Sequence, residues 1–339
     1  MKKFLCAIFS LILFSSCHDI ETYENNPRGN FEALWTIIDN HYCFLLDKNV
    51  DWNEVHTRYA ARVSDSMTSR ELFELLSEMI NELEDGHTNL SSPFASSYYR
   101  KWWSDYPQNY DERIIQQYYF NFNYKSLGAF DYGLLPDNVG YIHYSTFASG
   151  LGAGNLDYIL AEFAKAKALI FDVRDNGGGN LDNVEELVNR FITERILAGY
   201  IMHKTGPGHN EFSKPYAYYI DPVGGGHFGW RKPVIVLTNR STFSAANNFV
   251  SIMKYVPGVT IIGSTTGGGC GMPFNSELPN GWSIRFSACQ ILDCKGEPTE
   301  FGVQPTEGCA VDMDPQAALD GHDTILDFAL EYISKKVSQ

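Results

Sequence analysis

The stretch Lys232-Pro-Val-Ile-Val-Leu-Thr-Asn-Arg-Ser-Thr-Phe-Ser-Ala-Ala-Asn-Asn-Phe249 reads as a buried strand (Val234 to Leu237), a polar turn, and a helix whose first residues follow Ser244. A serine at that junction faces the free N–H groups and the positive dipole end of the helix. It has two readings. One is a helix cap, the commoner role of a lone serine in this place. The other is a nucleophile, whose alkoxide and tetrahedral oxyanion the same groups stabilise. The rest of the chain decides between them.

Outward from this stretch, strand and helix keep alternating. Strand Val139–Tyr144 precedes a helix carrying Leu156, Ile159, Leu160 and Phe163. Strand Ala168–Val173 leads through Gly177-Gly-Gly179 into a helix carrying Leu181, Val184, Leu187, Val188 and Phe191. Strands follow over Val259–Ile262 and near Trp282–Ile291, and Asp323 caps a last helix running through Ile333. Repeated βα units predict an α/β core over residues 138–336, with its site at the strand C-termini. Residues 201–230, rich in Gly, Pro and Tyr, read as a long surface insertion that could serve as lid or substrate contact. Residues 91–137 read as an aromatic-rich connector of short strands and loops.

Ahead of these lies a small helical domain over residues 30–90. Asn30 is expected to cap a helix with Phe31, Leu34, Trp35 and Ile38 on one face, and a second helix begins near Trp52. A third opens with the capping box Thr68-Ser-Arg-Glu71, carries Leu72, Leu75, Leu76, Met79 and Leu83, and is expected to stop at Gly86.

The 339 residues are 44% hydrophobic and 14% aromatic, enough for one large α/β unit and a smaller subdomain. A formal charge of −15 with no basic cluster excludes nucleic acid as a partner class. Residues 1–17 have the shape of a leader: Lys2 and Lys3, an apolar run from Phe4 to Phe14, then Ser15-Ser16-Cys17. The run is shorter than the roughly 20 residues a bilayer requires. Small residues before a cysteine resemble a bacterial lipoprotein signal, in which Cys17 would be lipidated and anchor the protein to the cell envelope. A plain signal peptide is the alternative, and both imply export. A polar tether over 18–29 follows. Of seven cysteines, Cys43, Cys270, Cys289, Cys294 and Cys309 lie beyond the leader, and Cys289 with Cys294, flanking an expected hairpin, is the favoured disulfide. No Cys/His cluster has metal-ligand spacing, and no metal or cofactor is expected.

Four loops carry groups fit for chemistry. Asp85-Gly-His-Thr88 presents His87, whose ordinary pKa suits proton transfer near neutrality, although a histidine at a helix end is also stabilised by the dipole alone. Asp172-Val-Arg-Asp-Asn-Gly-Gly-Gly179 ends a strand with glycines that can turn N–H groups toward an anion; Asp172 and Arg174 could simply pair. It lacks the Gly-Lys-Ser/Thr of a nucleotide loop. Ser244 is the third, without the Gly-x-Ser-x-Gly elbow of α/β-hydrolases. Glu300, in Glu297-Pro-Thr-Glu300-Phe-Gly-Val-Gln-Pro305, could orient a histidine or stand as a solvated carboxylate.

In this order the loops resemble those of the C-terminal processing (tail-specific) serine peptidases and their relatives, including the tricorn protease core. That pattern runs through Asp85-Gly-His-Thr88, Gly140-Tyr-Ile142 with Phe147, Asp172 to Gly179, the strand before Ser244, Gly263 to Gly268, Leu278 to Gly281 and Glu300 to Pro305. The resemblance spans about Phe31 to Ile333 and implies the crotonase/ClpP-like βα core of that family. Two departures narrow it. Many members pair the serine with a lysine, yet counting 25 residues on from Ser244 lands on Gly269. Members also carry a PDZ domain of about 90 residues, whereas about 50 separate His87 from Val139. The resemblance is therefore to a PDZ-less, tricorn-core-like branch with a Ser-His-Glu arrangement. It implies Ser244 as nucleophile, His87 as general base and Glu300 as the residue orienting His87. Gly177 or Gly178 with the Ala245 N–H would form the oxyanion hole.

The expected activity is an exported serine endopeptidase acting on peptides or unfolded proteins. The alternative is a catalytically silent envelope lipoprotein binding peptides or hydrophobic ligands on the same scaffold. A third reading, coenzyme A binding on a crotonase-like fold, suffers from the lack of a basic pocket for the nucleotide phosphates.

Overall fold

The computed structural model describes residues 23–337; the expected leader, Cys17 and the first part of the tether lie outside the described residues. Helix α1 (Pro27–His41) begins earlier than expected, because Asn26 rather than Asn30 caps it, accepting from the Gly29 N–H at 2.7 Å. Asn30 instead lies inside the helix, where it is buried and its Oδ1 receives the Asn280 N–H at 3.0 Å. Helices α2 (Trp52–Ala60) and α3 (Ser69–Asn81) follow. The Thr68/Glu71 capping box forms at the start of α3, and Leu72, Leu75, Leu76 and Met79 are buried along one face. Gly86 does not end this helix. The left-handed turn falls at Glu84 (φ 47°), and Gly86 lies beneath Trp102 and Phe243.

The aromatic-rich segment holds β1 (Asn89–Ser91), the short helices α4 (Lys101–Ser104) and α5 (Glu112–Ile114), a π-helical turn over Ile115–Tyr119, and strands β2 (Lys125–Leu127) and β3 (Phe130–Leu135). The alternating region then gives β4 (Val139–Tyr144), α6 (Ala153–Glu162), β5 (Ala168–Asp172), α7 (Leu181–Val188), β6 (Ile196–His203), β7 (Tyr216–Ile220), β8 (Val234–Thr238), α8 (Ala245–Met253) and β9 (Val259–Gly263). Strands β10 (Gly271–Glu277) and β11 (Ser283–Leu292) and helices α9 (Pro315–Leu319) and α10 (Thr324–Val337) complete the chain.

Two sheets result. The six-stranded sheet runs β2-β3-β4-β5-β8-β9, parallel from β4 onward. A parallel sheet needs cover on both faces, which explains why β4, β5 and β8 are buried at every position. Helices α6, α7 and α8 pack on one face; α10 and the segment around Tyr110–Phe120 pack on the other. Helix α8 is buried along its whole length. The second sheet pairs β1, β6 and β10 with β11, and β7 with β6. The N-terminal helices rest on this sheet, joining Phe31, Leu34, Leu76 and Met79 to Trp282, Ile284 and Phe286 in one apolar cluster. That contact delivers residues 84–88 to the ends of the parallel strands.

Two expectations are corrected here. The stretch 201–230 is not simply a surface insertion: Tyr216–Ile220 is a strand of the second sheet, and Trp230 is buried in the core. Cys289 and Cys294 are not bonded, and all five cysteines among the described residues are free thiols. Cys289 lies within β11, opposite Met272 on one side and His203 on the other, while Cys294 sits in a tight turn beyond the strand. They follow one another along the same strand end instead of facing across a hairpin.

Candidate active site

Strand β8 ends at Thr238, and the chain reaches α8 through a turn in which Ser244 takes φ 58° and ψ −122°. Non-glycine residues rarely adopt such angles, at a cost of about 1–3 kcal/mol that surrounding contacts must offset. The Phe243 N–H donates to the Asn176 carbonyl at 3.0 Å and the Ser244 N–H to the Gly268 carbonyl at 2.9 Å, fixing the turn from both flanks. Ser244 stands at the N-cap position, yet its side chain caps nothing. Its Oγ lies 3.0 Å from His87 Nε2, across 157 positions of sequence. Of the two readings of this serine, the cap is the one the geometry rejects.

His87 reaches Ser244 because its backbone is held by Asp85. The Asp85 carboxylate receives the His87 N–H at 2.7 Å, the Thr88 hydroxyl at 3.1 Å and the Ser287 hydroxyl of β11 at 2.9 Å. Burial opposes the charge on Asp85, but Lys48, His87 and these hydrogen bonds outweigh it and hold the pKa below the usual range. The His87 ring lies 4.7 Å from Phe243, which stacks at 4.1 Å on Trp102. Burial lowers the His87 pKa to about 4, with Asp85 pulling the other way, so the imidazole is neutral and able to accept a proton at physiological pH. Its Nδ1 is buried and makes no hydrogen bond of good geometry; the Gly271 backbone is the polar group beside it.

The glycine loop follows β5. Arg174 is fully buried between Asp172 (Nη2 to Oδ2 2.6 Å) and Asp323 (Nη1 to Oδ2 2.8 Å), so this pair serves the loop's architecture. Asp323 also caps α10, accepting from the Ile325 and Leu326 N–H groups. Among the described residues the Ala245 and Gly177 N–H groups have no hydrogen-bond partner. Gly178 is different: its N–H donates to Asn176 Oδ1 at 3.0 Å. The reason for glycine there is contact, since a Cβ at this position would stand 2.7 Å from Ser244 Cβ and 2.8 Å from the Ala245 nitrogen. The Gly178 N–H is therefore engaged within the loop, which takes it out of the oxyanion set that the resemblance implies.

Glu300 is also corrected. It is buried in the same region, but its carboxylate does not contact His87. Oε1 lies 3.0 Å from Lys48 Nζ and Oε2 accepts the Cys270 N–H at 2.9 Å. Burial pushes its pKa up to about 7 against the pull of Lys48. Lys48, donated by the turn after α1, escaped the sequence analysis because Asp47-Lys-Asn49 reads as an ordinary solvated turn. Gly269, where a family lysine would stand, has φ +73° and its Cβ would meet the Phe243 ring at 2.3 Å, so no side chain fits there. Beside the site a cleft of about 780 Å³ is lined by Lys48, Trp102, Tyr106, Phe243, Glu300 and Phe301, among others. Among the described residues there is no cluster fit to hold a metal ion, and no helix is long and apolar enough to cross a membrane.

Comparison with known proteins agrees with this layout. The profile of Peptidase family S41 matches residues 138–308, and that of the Tricorn protease C1 domain matches residues 23–81. Carboxy-terminal processing protease CtpB of Bacillus subtilis (strain 168) is 26% identical over 182 residues, covering 50% of this chain and 33% of that protein. The chain thus matches only about a third of the length of this curated relative. A crystal structure of a candidate peptidase from Parabacteroides merdae ATCC 43184 is 47% identical, with a TM-score of 0.86 and coverage of 91% of this chain and 97% of that one. The tricorn protease is similar in fold, at a TM-score of 0.56 and 15% identity over 93% of this chain and 37% of that one.

Proposed function

The chain belongs to Peptidase family S41, as a serine-type peptidase of the tail-specific kind, and from that premise we propose that it is an endopeptidase using Ser244 as nucleophile and His87 as general base. The 3.0 Å contact between His87 Nε2 and Ser244 Oγ, made across the boundary between the helices and the core, carries this reading. As Oγ bonds to the scissile carbonyl carbon, its proton passes to Nε2. The oxyanion that forms faces the Gly177 and Ala245 N–H groups at the head of α8. Collapse breaks the C–N bond, and Nε2 returns the proton to the leaving amine. Water then attacks the Ser244 ester, gives its proton to Nε2, and the acid leaves as Oγ is reprotonated.

Substrates are extended peptides or unfolded protein segments, and the protein works outside the cytoplasm, lipid-anchored through Cys17 at the bacterial cell envelope. Support for the export is the leader-like residues 1–17. The Ser244–His87 contact, together with the strained Ser244 backbone, supports the enzyme reading over a catalytically silent binding protein. A fluorophosphonate probe should label the wild type and fail to label Ser244→Ala, which should also lose peptide turnover. Equal labelling of the two proteins would reject the assignment.

A further inference from the structure

We infer that Lys48 is a positioning residue of the active site, a strut that sets the loop bearing His87 against the turn bearing Ser244. The inference rests on the Ser244–His87 reading above and assigns a role to a residue from outside the core.

Lys48 Nζ makes two contacts of different kinds. It donates to the Glu84 carbonyl at 3.2 Å, in the turn that ends α3 and leads into His87. It also pairs with Glu300 at 3.0 Å. Glu300 in turn grips the turn under the nucleophile. Its Oε2 accepts the Cys270 N–H at 2.9 Å and its carbonyl accepts the Gly269 N–H at 3.2 Å. One residue earlier, the Gly268 carbonyl receives the Ser244 N–H at 2.9 Å. An unbroken path of polar contacts therefore runs from Glu84 through Lys48, Glu300 and the 268–270 turn to Ser244.

Chemistry favours a cation at this point. Glu300 is 6% exposed, and a carboxylate so buried stays charged only beside a compensating group. The charged group near it besides Lys48 is Asp85, which repels it, while the Tyr42, Cys43 and Cys270 side chains around it are kept neutral by burial. Without Lys48 the carboxyl would take up a proton and one of its oxygens would become a donor. A neutral carboxyl accepts the Cys270 N–H more weakly than a carboxylate does, so the grip on the 268–270 turn would weaken. Asn247 braces the same loop from α8, donating to the Thr299 carbonyl at 3.1 Å, but carries no charge to hold Glu300 ionised.

The test compares the rate of fluorophosphonate labelling against pH in wild type, Lys48→Met, Lys48→Arg and Lys48→Met/Glu300→Gln, with thermal unfolding measured alongside. Labelling of the wild type at Ser244 checks the underlying reading by itself; its absence overturns that reading and this one together. With the wild type labelled, Lys48→Met should be slowed at least tenfold at pH 7.5, and its titration near neutral pH should move to higher pH. Lys48→Arg should recover most of the rate. The double variant, which removes both buried partners, should regain thermal stability and remain slow. Labelling of Lys48→Met at the wild-type rate with an unmoved pH profile overturns the proposal. So does a double variant as fast as wild type, or an arginine variant as slow as the methionine one.

Discussion

Two pKa shifts of one origin, burial, and of opposite direction meet within one site. His87 is kept neutral by burial down to about pH 4, whereas burial raises Glu300 to about 7. Because a protonated imidazole cannot take the Ser244 proton, kcat/KM for a peptide should fall on the acid side with a limb near pH 4, joined by a shallower step near 7. Glu300→Gln should erase the upper step and leave the lower one. A single limb at the ordinary histidine value near 6.5 would show that His87 is not enclosed as described. The same residues show what sequence could and could not tell. Ser244 and His87 were legible because their neighbours follow motifs in a known order. The partner of Glu300 was not, since nothing local to Asp47-Lys-Asn49 distinguishes a lysine pointing inward from one in water. The choice between the Gly177 and Gly178 N–H groups is hidden for a similar reason: that Asn176 takes up the second is a matter of side-chain rotamer.

Strands and helices divide in the same manner. Strands β4, β5, β8 and β9 were readable to within a residue or two as short runs rich in aliphatic and aromatic residues, the mark of a sheet buried on both faces. Strands β6 and β7 were not, because Ile196–His203 and Tyr216–Ile220 are partly exposed and Gly199 interrupts the first of them. The capping box of α3 was legible, while α1 began at the neighbouring choice of asparagine. Where β5 ends, charge does the work of shape. Arg174 ties the β5 terminus to the first turn of α10 through two buried carboxylates, with the Tyr141 hydroxyl on Asp172 and the Tyr110 ring 5.0 Å from the guanidinium. Removing the cation strands both acids, so Arg174→Met should cost about 3–5 kcal/mol in denaturant unfolding. It should also loosen Gly177 at the oxyanion position. A loss below about 1 kcal/mol would mean that the pair is dispensable to the fold.

For the molecule as a whole, stability against pH carries the imprint of the site. Between about pH 4 and 6.5 the unfolded chain binds a proton at His87 that the native state refuses, so His87 makes stability rise with pH. Between about 4.5 and 7 the native state binds a proton at Glu300 that the unfolded chain has released, so Glu300 makes it fall. The two nearly offset each other in the wild type. Measured between pH 4.5 and 6.5, Glu300→Gln should gain stability with rising pH relative to wild type and His87→Gln should lose it. Each difference is bounded by about 1.4 kcal/mol per pH unit, the value of a single proton. Parallel curves for all three proteins would refute the assignment of either shift. The division of the site between helices and core has a consequence in time as well as in space. His87 leaves the ribosome long before Ser244, and the Glu300 loop later still, so a growing chain holds a base without an alcohol, then an alcohol without its setting. Under the mechanism proposed above, hydrolytic competence arrives only when the last strands dock.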